Sequence, residues 1–261
     1  RRRRGRRPHP AVRVSVDGWT RLRVFFRSFT IQGSWNYRTL IGNGFAVSLL
    51  PVLRSLHGDD PAALRRAVAR HRMIFNSHPY LVGVALGAVA RLELEGADER
   101  TVDRFKAAIR GPLGSIGDGL VWAGWRPLCL ITGLVLYYAG LPWAWVVIVF
   151  LGLYNAGHLA LRIWGFQIGF RHGRDVGERL RRARLAGTKK AVARTGAFGL
   201  GLLVPVLLGS AAAGLAWPWW VAAGMAALAG IRMGNAIRMP LAVAVVLFII
   251  ASVVLGGIGN G

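Results

Sequence analysis

PLCLITGLVLYYAGLPWAWVVIVFLGLYNAGHLAL, Pro127 to Leu161, contains no Asp, Glu, Lys or Arg, and it decides the fold class. A helix that crosses a bilayer needs roughly 20 apolar residues, because the hydrocarbon core is about 30 Å thick. The run is long enough to cross twice, with Gly140, Leu141 and Pro142 as its turn. Thr195 to Ile231 and Met239 to Gly261 are also free of formal charge. They add two further spans and one, so about five are expected. With 54% hydrophobic and 17% charged residues in 261, and a mean hydropathy of +0.42, the chain is too apolar for a soluble domain of its size.

The formal charge is +23, from 34 Lys and Arg against 11 Asp and Glu. In a soluble protein that excess would point to nucleic acid. Here the basic residues gather in Arg1 to Arg27 and Arg162 to Arg194, beside apolar runs, as expected of segments held on the cytoplasmic side and satisfied by anionic lipid. No soluble basic domain is visible, so nucleic acid is excluded as a partner. Residues 1–18 read as a disordered basic tail at the cytoplasmic face. The opening lacks the layout of a signal peptide, so internal spans are expected to drive insertion. With residues 162–194 as a cytoplasmic loop, Thr195 to Ala216 crosses outward and Trp217, Trp219 and Trp220 lie at the outer interface. Val221 to Ile231 then returns, and the last span leaves the C-terminus outside.

Residues 19–118 have a different texture. Trp19, Phe25, Phe26 and Phe29 alternate with Arg21, Arg23 and Arg27, a mixture suited to a helix in the headgroup region. Leu40 to Leu53 ends near Pro51 and is short for a span, so a re-entrant element is expected. Asp60 followed by Pro61 signals a helix start, and the amphipathic segment AALRRAVARHRMIF follows up to a turn at Asn76 to Pro79. Tyr80 to Leu94 is apolar but short, and Asp98 to Arg110 reads as a second amphipathic helix. The expected fold is an all-α polytopic membrane protein. Its N-terminal half holds short, broken or re-entrant and amphipathic helices, and residues 119–261 hold the transmembrane helices.

Asn36, Asn76, His78 and Asp118 are polar side chains within apolar segments. An unpaired group there costs several kcal/mol, so each must meet a partner. Sugar hydroxyls could serve on a translocation path; so could each other and the backbone freed at broken helices. In GPLGSIGD, Gly111 to Asp118, Pro112 reads as a helix breaker and Asp118 as the cap of the next span. His71 and His78 lack a third ligand, so they read as hydrogen-bonded structural residues and no metal is expected. His158 reads as an interior histidine. Glu93 and Glu95 do not share a helix face, and no Ser, His and Asp set can be assembled, so no catalytic residue is assigned. The one cysteine, Cys129, rules out an internal disulfide. No cofactor is expected.

Four strings carry a resemblance: RSFTIQGSWNYRTLIGNGFAVSLLPVL (Arg27 to Leu53), RHRMIFNSHPYLVGVALG (Arg70 to Gly87), KAAIRGPLGSIGDGLVW (Lys106 to Trp122) and LRIWGFQIGFRHG (Leu161 to Gly173). In order and spacing they resemble the mannose/fructose/sorbose IID family of the sugar phosphotransferase system. The resemblance implies a non-catalytic inner-membrane subunit paired with a IIC subunit, in trimers of IIC and IID pairs. Cytoplasmic IIA and IIB proteins would carry the phosphoryl group to an entering hexose or hexosamine, most of whose contacts come from IIC. Arg162, Arg171 and Arg174 are then candidate docking residues for IIB or lipid. Arg38 stands where the family usually has Glu, and GPLGSIGD where GPLAGIGD is usual. A reversed charge needs a changed partner, so Arg38 is a further docking candidate. It also favours an alternative in which the chain is an IID-like regulatory membrane protein that no longer transports sugar.

Overall fold

A computed structural model describes residues 16–183 and 185–211, and among these every regular element is helical. In chain order they are α1 (Gly18–Arg27), a 3-10 turn (Ser28–Thr30), α2 (Gly42–His57), α3 (Pro61–His71), α4 (Val82–Leu94) and α5 (Glu99–Gly117). A π-helical stretch (Asp118–Trp125), α6 (Arg126–Tyr138), α7 (Trp143–His172), a 3-10 turn (Gly173–Asp175), α8 (Val176–Arg182) and α9 (Leu185–Ala211) complete the order. The chain divides into two compact units, one of Arg1–Ser115 with Leu161–Arg182 and one of Ile116–Ala160 with Ala183–Gly261.

In the first unit the helix starts follow capping chemistry. Asp17 accepts from the Thr20 amide at 2.9 Å, Asp60 from Ala62 and Ala63 at 2.9 Å each, and Asp98 from Thr101 at 2.9 Å. Each satisfies amides that a helix N-terminus leaves without partners. The helix expected to stop near Pro51 instead continues to His57. Proline has no N–H for the carbonyl four residues back, which is Val47, and Arg27 on α1 donates its Nη1 to that oxygen at 3.1 Å. The bond lost at the proline is replaced from the neighbouring helix.

α4 is the centre of this unit. VGVALGAVA presents only small and aliphatic side chains, and nearly the whole helix is buried, as expected of one apolar all round. Gly83 and Gly87 on α4 meet α7 along Gly165 and Gly169. A Cβ at Gly87 would lie 2.4 Å from the Phe166 carbonyl oxygen, and one at Gly169 would lie 2.2 Å from that of Val84. The two backbones are therefore in direct contact, a crossing that small residues four apart allow. Phe45, Leu49, Leu53, Phe75, Leu81, Leu86 and Leu92 fill the surrounding core.

The second unit contains the expected hairpin. α6 ends at Tyr138, Gly140 turns the chain at φ 93°, and α7 starts at Trp143. Trp125 on the π-helical stretch donates its indole N–H to Tyr154 O on α7 at 3.4 Å, and Ile131 on α6 packs with Leu203 on α9. Two helical segments, Glu99–Tyr138 and Trp143–Arg182, are long and apolar enough to cross a membrane by length and composition. In the most apolar part of the second, none of the residues is buried within the chain. Trp143, Trp145, Ile148 and Leu151 are exposed, a surface that hydrocarbon or another subunit must cover.

Two expectations are corrected. GPLGSIGD is not a break: α5 runs through Pro112 to Gly117, and Asp118 opens the π-helical stretch rather than capping a separate helix. A long helix carries the loss of one hydrogen bond at proline, and the wider π turns that follow take up the local change in geometry. Nor is 162–194 an extended loop. α7, α8 and α9 make it helical apart from short turns, because arginine is a good helix former and basic charge alone does not break a helix. The expected interface at Trp217 to Trp220 and the last two spans lie outside the described residues.

Gly169→Ala should destabilise the first unit by about 1–3 kcal/mol, the usual cost of forcing an extra methyl into a full contact. Thermal unfolding in detergent would show a lowered midpoint. Gly111→Ala, whose Cβ would have nothing within 4 Å, should leave the midpoint unchanged or raise it slightly.

Candidate functional site

The segment from Gly33 to Ile41 is a turn knitted by one side chain. Asn36 Oδ1 accepts from the amides of Arg38 (3.0 Å) and Thr39 (2.9 Å), and its Nδ2 donates to Ser34 O (3.2 Å) and Thr39 Oγ1 (2.8 Å). All four bonds stay within the turn, so Asn36 fixes backbone rather than lining an interior. Leu40 is held at φ 53°, in the left-handed region that a leucine rarely occupies. Backbone bonds constrain it: Leu40 N donates to Asn36 O at 2.8 Å, Ile41 N to Phe75 O at 3.1 Å and Phe75 N to Thr39 O at 3.3 Å. At the tip Trp35 and Tyr37 meet edge to face with centroids 4.8 Å apart. Tyr37 is 89% exposed, and Arg38 beside it is exposed too.

The pairing with Phe75 brings the Asn36 turn beside the segment that carries Asn76 and His78. The two behave differently. Asn76 is exposed, whereas the His78 ring is buried, its Nδ1 accepts from the Tyr80 amide at 3.2 Å, and it stands edge to face with Tyr80 at 5.1 Å. Asp118 belongs to the other compact unit and is exposed. Asn76 and Asp118 are thus not embedded in the chain's interior: each sits at the edge of an apolar run, on the outward side.

Arg162 is also corrected. It is 4% exposed, so it is not a surface docking residue. It lies on α7 one turn before Phe166, and its Nη1 donates to Ser28 O at 2.9 Å and Ser28 Oγ at 3.2 Å. Its guanidinium stands over the rings of Phe29 (4.7 Å) and Tyr80 (5.5 Å). A delocalised, weakly hydrated cation is suited to such a place, where ring faces and a carbonyl replace water. Arg162 thereby ties the end of α1 and the Tyr80 segment to α7. Arg171 and Arg174, at and just beyond the end of α7, are exposed as a docking role requires.

A buried polar cluster was not anticipated as a cluster. Glu93 Oε1 on α4 accepts from Arg70 Nη2 at 2.5 Å and lies 2.9 Å from His71 Nε2, both on α3. Arg70 Nη1 also reaches Glu99 at 2.9 Å, and Lys106 Nζ on α5 donates to Arg70 O at 3.3 Å while lying 5.4 Å from the Phe45 ring centroid. Burial raises the Glu93 carboxyl, but the His71 hydrogen bond and the Arg70 charge outweigh it and take the group below its usual range. Burial is the main reason the His71 ring lies below its usual value, against the pull of Glu93. Charged Glu93 and neutral His71 are therefore the native forms. His71 reads from sequence as a hydrogen-bonded structural residue, but its partner, a carboxylate inside an apolar run, stands 22 residues away.

Both groups bind protons more weakly in the folded chain than in the unfolded one. Their contribution is therefore complete above the unfolded histidine value of about 6.5 and is lost as pH falls from there towards the folded values. The thermal midpoint should drop between about pH 7 and about pH 5, and a flat profile would contradict the assignment. Glu93→Gln should cost about 1–3 kcal/mol at neutral pH, because it takes the charged acceptor from Arg70 and His71 inside the core and leaves Arg70 only its exposed partner Glu99.

Residues 16–212 match the family described as the PTS system mannose/fructose/sorbose family IID component. The chain is 30% identical over 186 residues to the PTS system mannose-specific EIID component of Escherichia coli K12, covering 69% of this chain and 65% of that protein. It is 30% identical to the sorbose-specific EIID component of Klebsiella pneumoniae, covering 69% and 67% of the two chains. Against the fructose permease IID component of Bacillus subtilis the identity is 28%, over 69% and 66%. The chain thus spans about two thirds of the length of these relatives. Among solved structures, a membrane protein matches with a TM-score of 0.65 at 28% identity, over 73% of this chain and 71% of its own. The mannose transporter ManYZ in complex with microcin E492 matches with a TM-score of 0.57 at 21% identity, over 92% of this chain and 96% of its own, a likeness of fold. With the family pattern running through both compact units, the chain belongs to the mannose/fructose/sorbose family of phosphotransferase-system IID components.

Proposed function

We propose that this chain is the membrane-embedded IID subunit of a phosphoenolpyruvate-dependent sugar phosphotransferase system and forms the translocation complex with a IIC membrane subunit. The observation that carries the reading is the family match over residues 16–212, with relatives named for mannose, sorbose and fructose. The physical features agree with it. α7 leaves a wide apolar face uncovered within the chain, as a subunit that buries its surface against lipid and a neighbouring membrane protein would. The chain supplies scaffold, without a catalytic role of its own. The sugar is a hexose or hexosamine, phosphorylated on entry by IIA and IIB proteins that dock on the basic face around Arg171 and Arg174. IIC and IID assemble as a trimer of pairs in the inner membrane, with the N-terminus cytoplasmic and the C-terminus outside.

In this reading Asn76 and Asp118 serve the translocation path from outward positions, where a sugar or a facing subunit can reach them, and Asn36 and His78 support that path by fixing the backbone beside it. A second reading, a regulatory IID-like protein without transport, is favoured by Arg38. This exposed cation sits beside an exposed tyrosine, and no carboxylate pairs with it among the described residues.

Co-expression with the neighbouring IIC gene and purification in mild detergent should yield a stable complex. Asn76→Ala or Asp118→Ala should retain that complex while lowering phosphoenolpyruvate-dependent sugar uptake at least tenfold, about 1.4 kcal/mol or more. A chain that purifies alone and supports no uptake would favour the regulatory reading.

A further inference from the structure

Arg54 on α2 joins Arg23 and Arg27 of α1, the helix whose alternating arginines and aromatics suit the headgroup region, in one basic group. α1 lies along α2 in the opposite sense: Ile31 O faces Gly44, and Arg27 reaches Val47 O. Arg54 stands two turns beyond Val47 on the same outer edge of α2. Arg23 stands one turn before Arg27 on α1, and like charge from Arg23 and Arg54 acts on Arg27, after burial, to lower its proton affinity, so both lie within electrostatic reach of it. No ion pair involves any of them among the described residues, and the acid within reach of Arg23 is Asp17, already occupied in capping α1. Like-charged groups gathered this way repel, and an anion would relieve the repulsion.

The neighbouring surface indicates what kind of anion. α1 has three faces. Val24 and Ser28 are buried against the protein, Arg23 and Arg27 form a basic edge, and Trp19, Leu22, Phe26 and Phe29 make an apolar stripe every third or fourth residue. Trp19 is 64% exposed, Phe26 59%, and Val47 across on α2 47%. A free phosphate would use the cations and leave this stripe in water. An anionic phospholipid uses both, its phosphate among the guanidinium groups and its acyl chains against the rings. Arginine matches phosphate oxygens in a planar fork, and tryptophan and phenylalanine suit the boundary between headgroup and hydrocarbon.

We infer that Arg23, Arg27 and Arg54, together with the aromatic stripe of α1, form a binding site for the headgroup of an anionic phospholipid. The site holds α1 at the membrane surface, and its existence does not depend on whether the chain transports sugar. Arg27 is engaged on both sides, since one of its nitrogens serves the carbonyl freed by Pro51.

The test uses the full chain reconstituted in bilayers, with Cys129→Ser and Leu22→Cys so that one fluorophore reports at the stripe. Headgroup spin-labelled phosphatidylglycerol should quench it more strongly than the same probe on phosphatidylcholine, and millimolar inorganic phosphate should not remove the preference. Arg54→Gln breaks no hydrogen bond or ion pair among the described residues and should weaken the preference about fivefold, the effect of one cation near an anionic surface. Replacing all three arginines by glutamine should abolish it, while Arg171→Gln with Arg174→Gln should leave it intact. Equal quenching by the two lipids would overturn the inference, as would loss of the preference in phosphate, which would indicate a free-anion site. Absence of quenching by either lipid would show the stripe covered by protein and would overturn it too.

Discussion

Contact between the backbones of α4 and α7 is the constraint on which the first unit depends. Gly83 and Gly87 face Gly165 and Gly169, and at Gly87 and Gly169 no other residue fits without moving a carbonyl. Dispersion between closely apposed backbones needs no hydrophobic driving force, which suits helices whose surroundings are as apolar as they are. The crossing also sets where everything else on α7 points. Arg162 comes one turn before Phe166, and Phe166 lies between the glycines that touch α4, so the guanidinium arrives at Ser28, Phe29 and Tyr80.

Three polar contacts then tie α1, α2, α3 and α5 into the unit. Arg27 replaces the hydrogen bond that Pro51 removes from Val47 O, and so fixes α1 to α2. Arg162 exchanges water for a carbonyl, a hydroxyl and two ring faces, contacts of about 0.5–2 kcal/mol each for the rings once desolvated. Glu93 accepts from Arg70 and His71 together, which joins α4 to α3, and Lys106 brings α5 to the same point through Arg70 O. A buried pair of this kind adds little net stability over apolar packing, but removal of one partner is costly, so it fixes which helices meet. The Asn36 turn repeats the logic on a small scale: four bonds from one amide hold the backbone that Leu40 strains.

Much of this was legible because it was local. Asp60 and Pro61 specify a helix start through bonds spanning two or three residues, Gly140 to Pro142 specify a turn, and the absence of charge in Pro127 to Leu161 specifies a long apolar hairpin. The family resemblance lay in strings that the chain carries contiguously. The errors came where a distant residue changes the meaning of a local one. Pro51 reads as a stop until Arg27, more than 20 residues earlier, supplies a donor. Arg162 reads as the edge of a basic loop until Ser28 and two rings enclose it. His71 reads as a hydrogen-bonded structural residue, but its pairing with Glu93 does not, since a 22-residue separation is not a periodic signal. Asn76 and Asp118 were expected inside because their neighbours are apolar, but in a subunit with an uncovered apolar face an outward position can still be an interior one after assembly.

Membership of the IID family, the glycine-locked first unit and the exposed apolar helix of the second are the grounds for the proposal that another membrane subunit completes this chain. The most direct measurement of that claim is phosphoenolpyruvate-driven sugar accumulation in proteoliposomes made from purified IIC with and without this chain, with IIA, IIB and the general phosphocarrier proteins added outside. The account predicts accumulation only when both membrane subunits are present. Equal accumulation by IIC alone, or none with the two together, would contradict it.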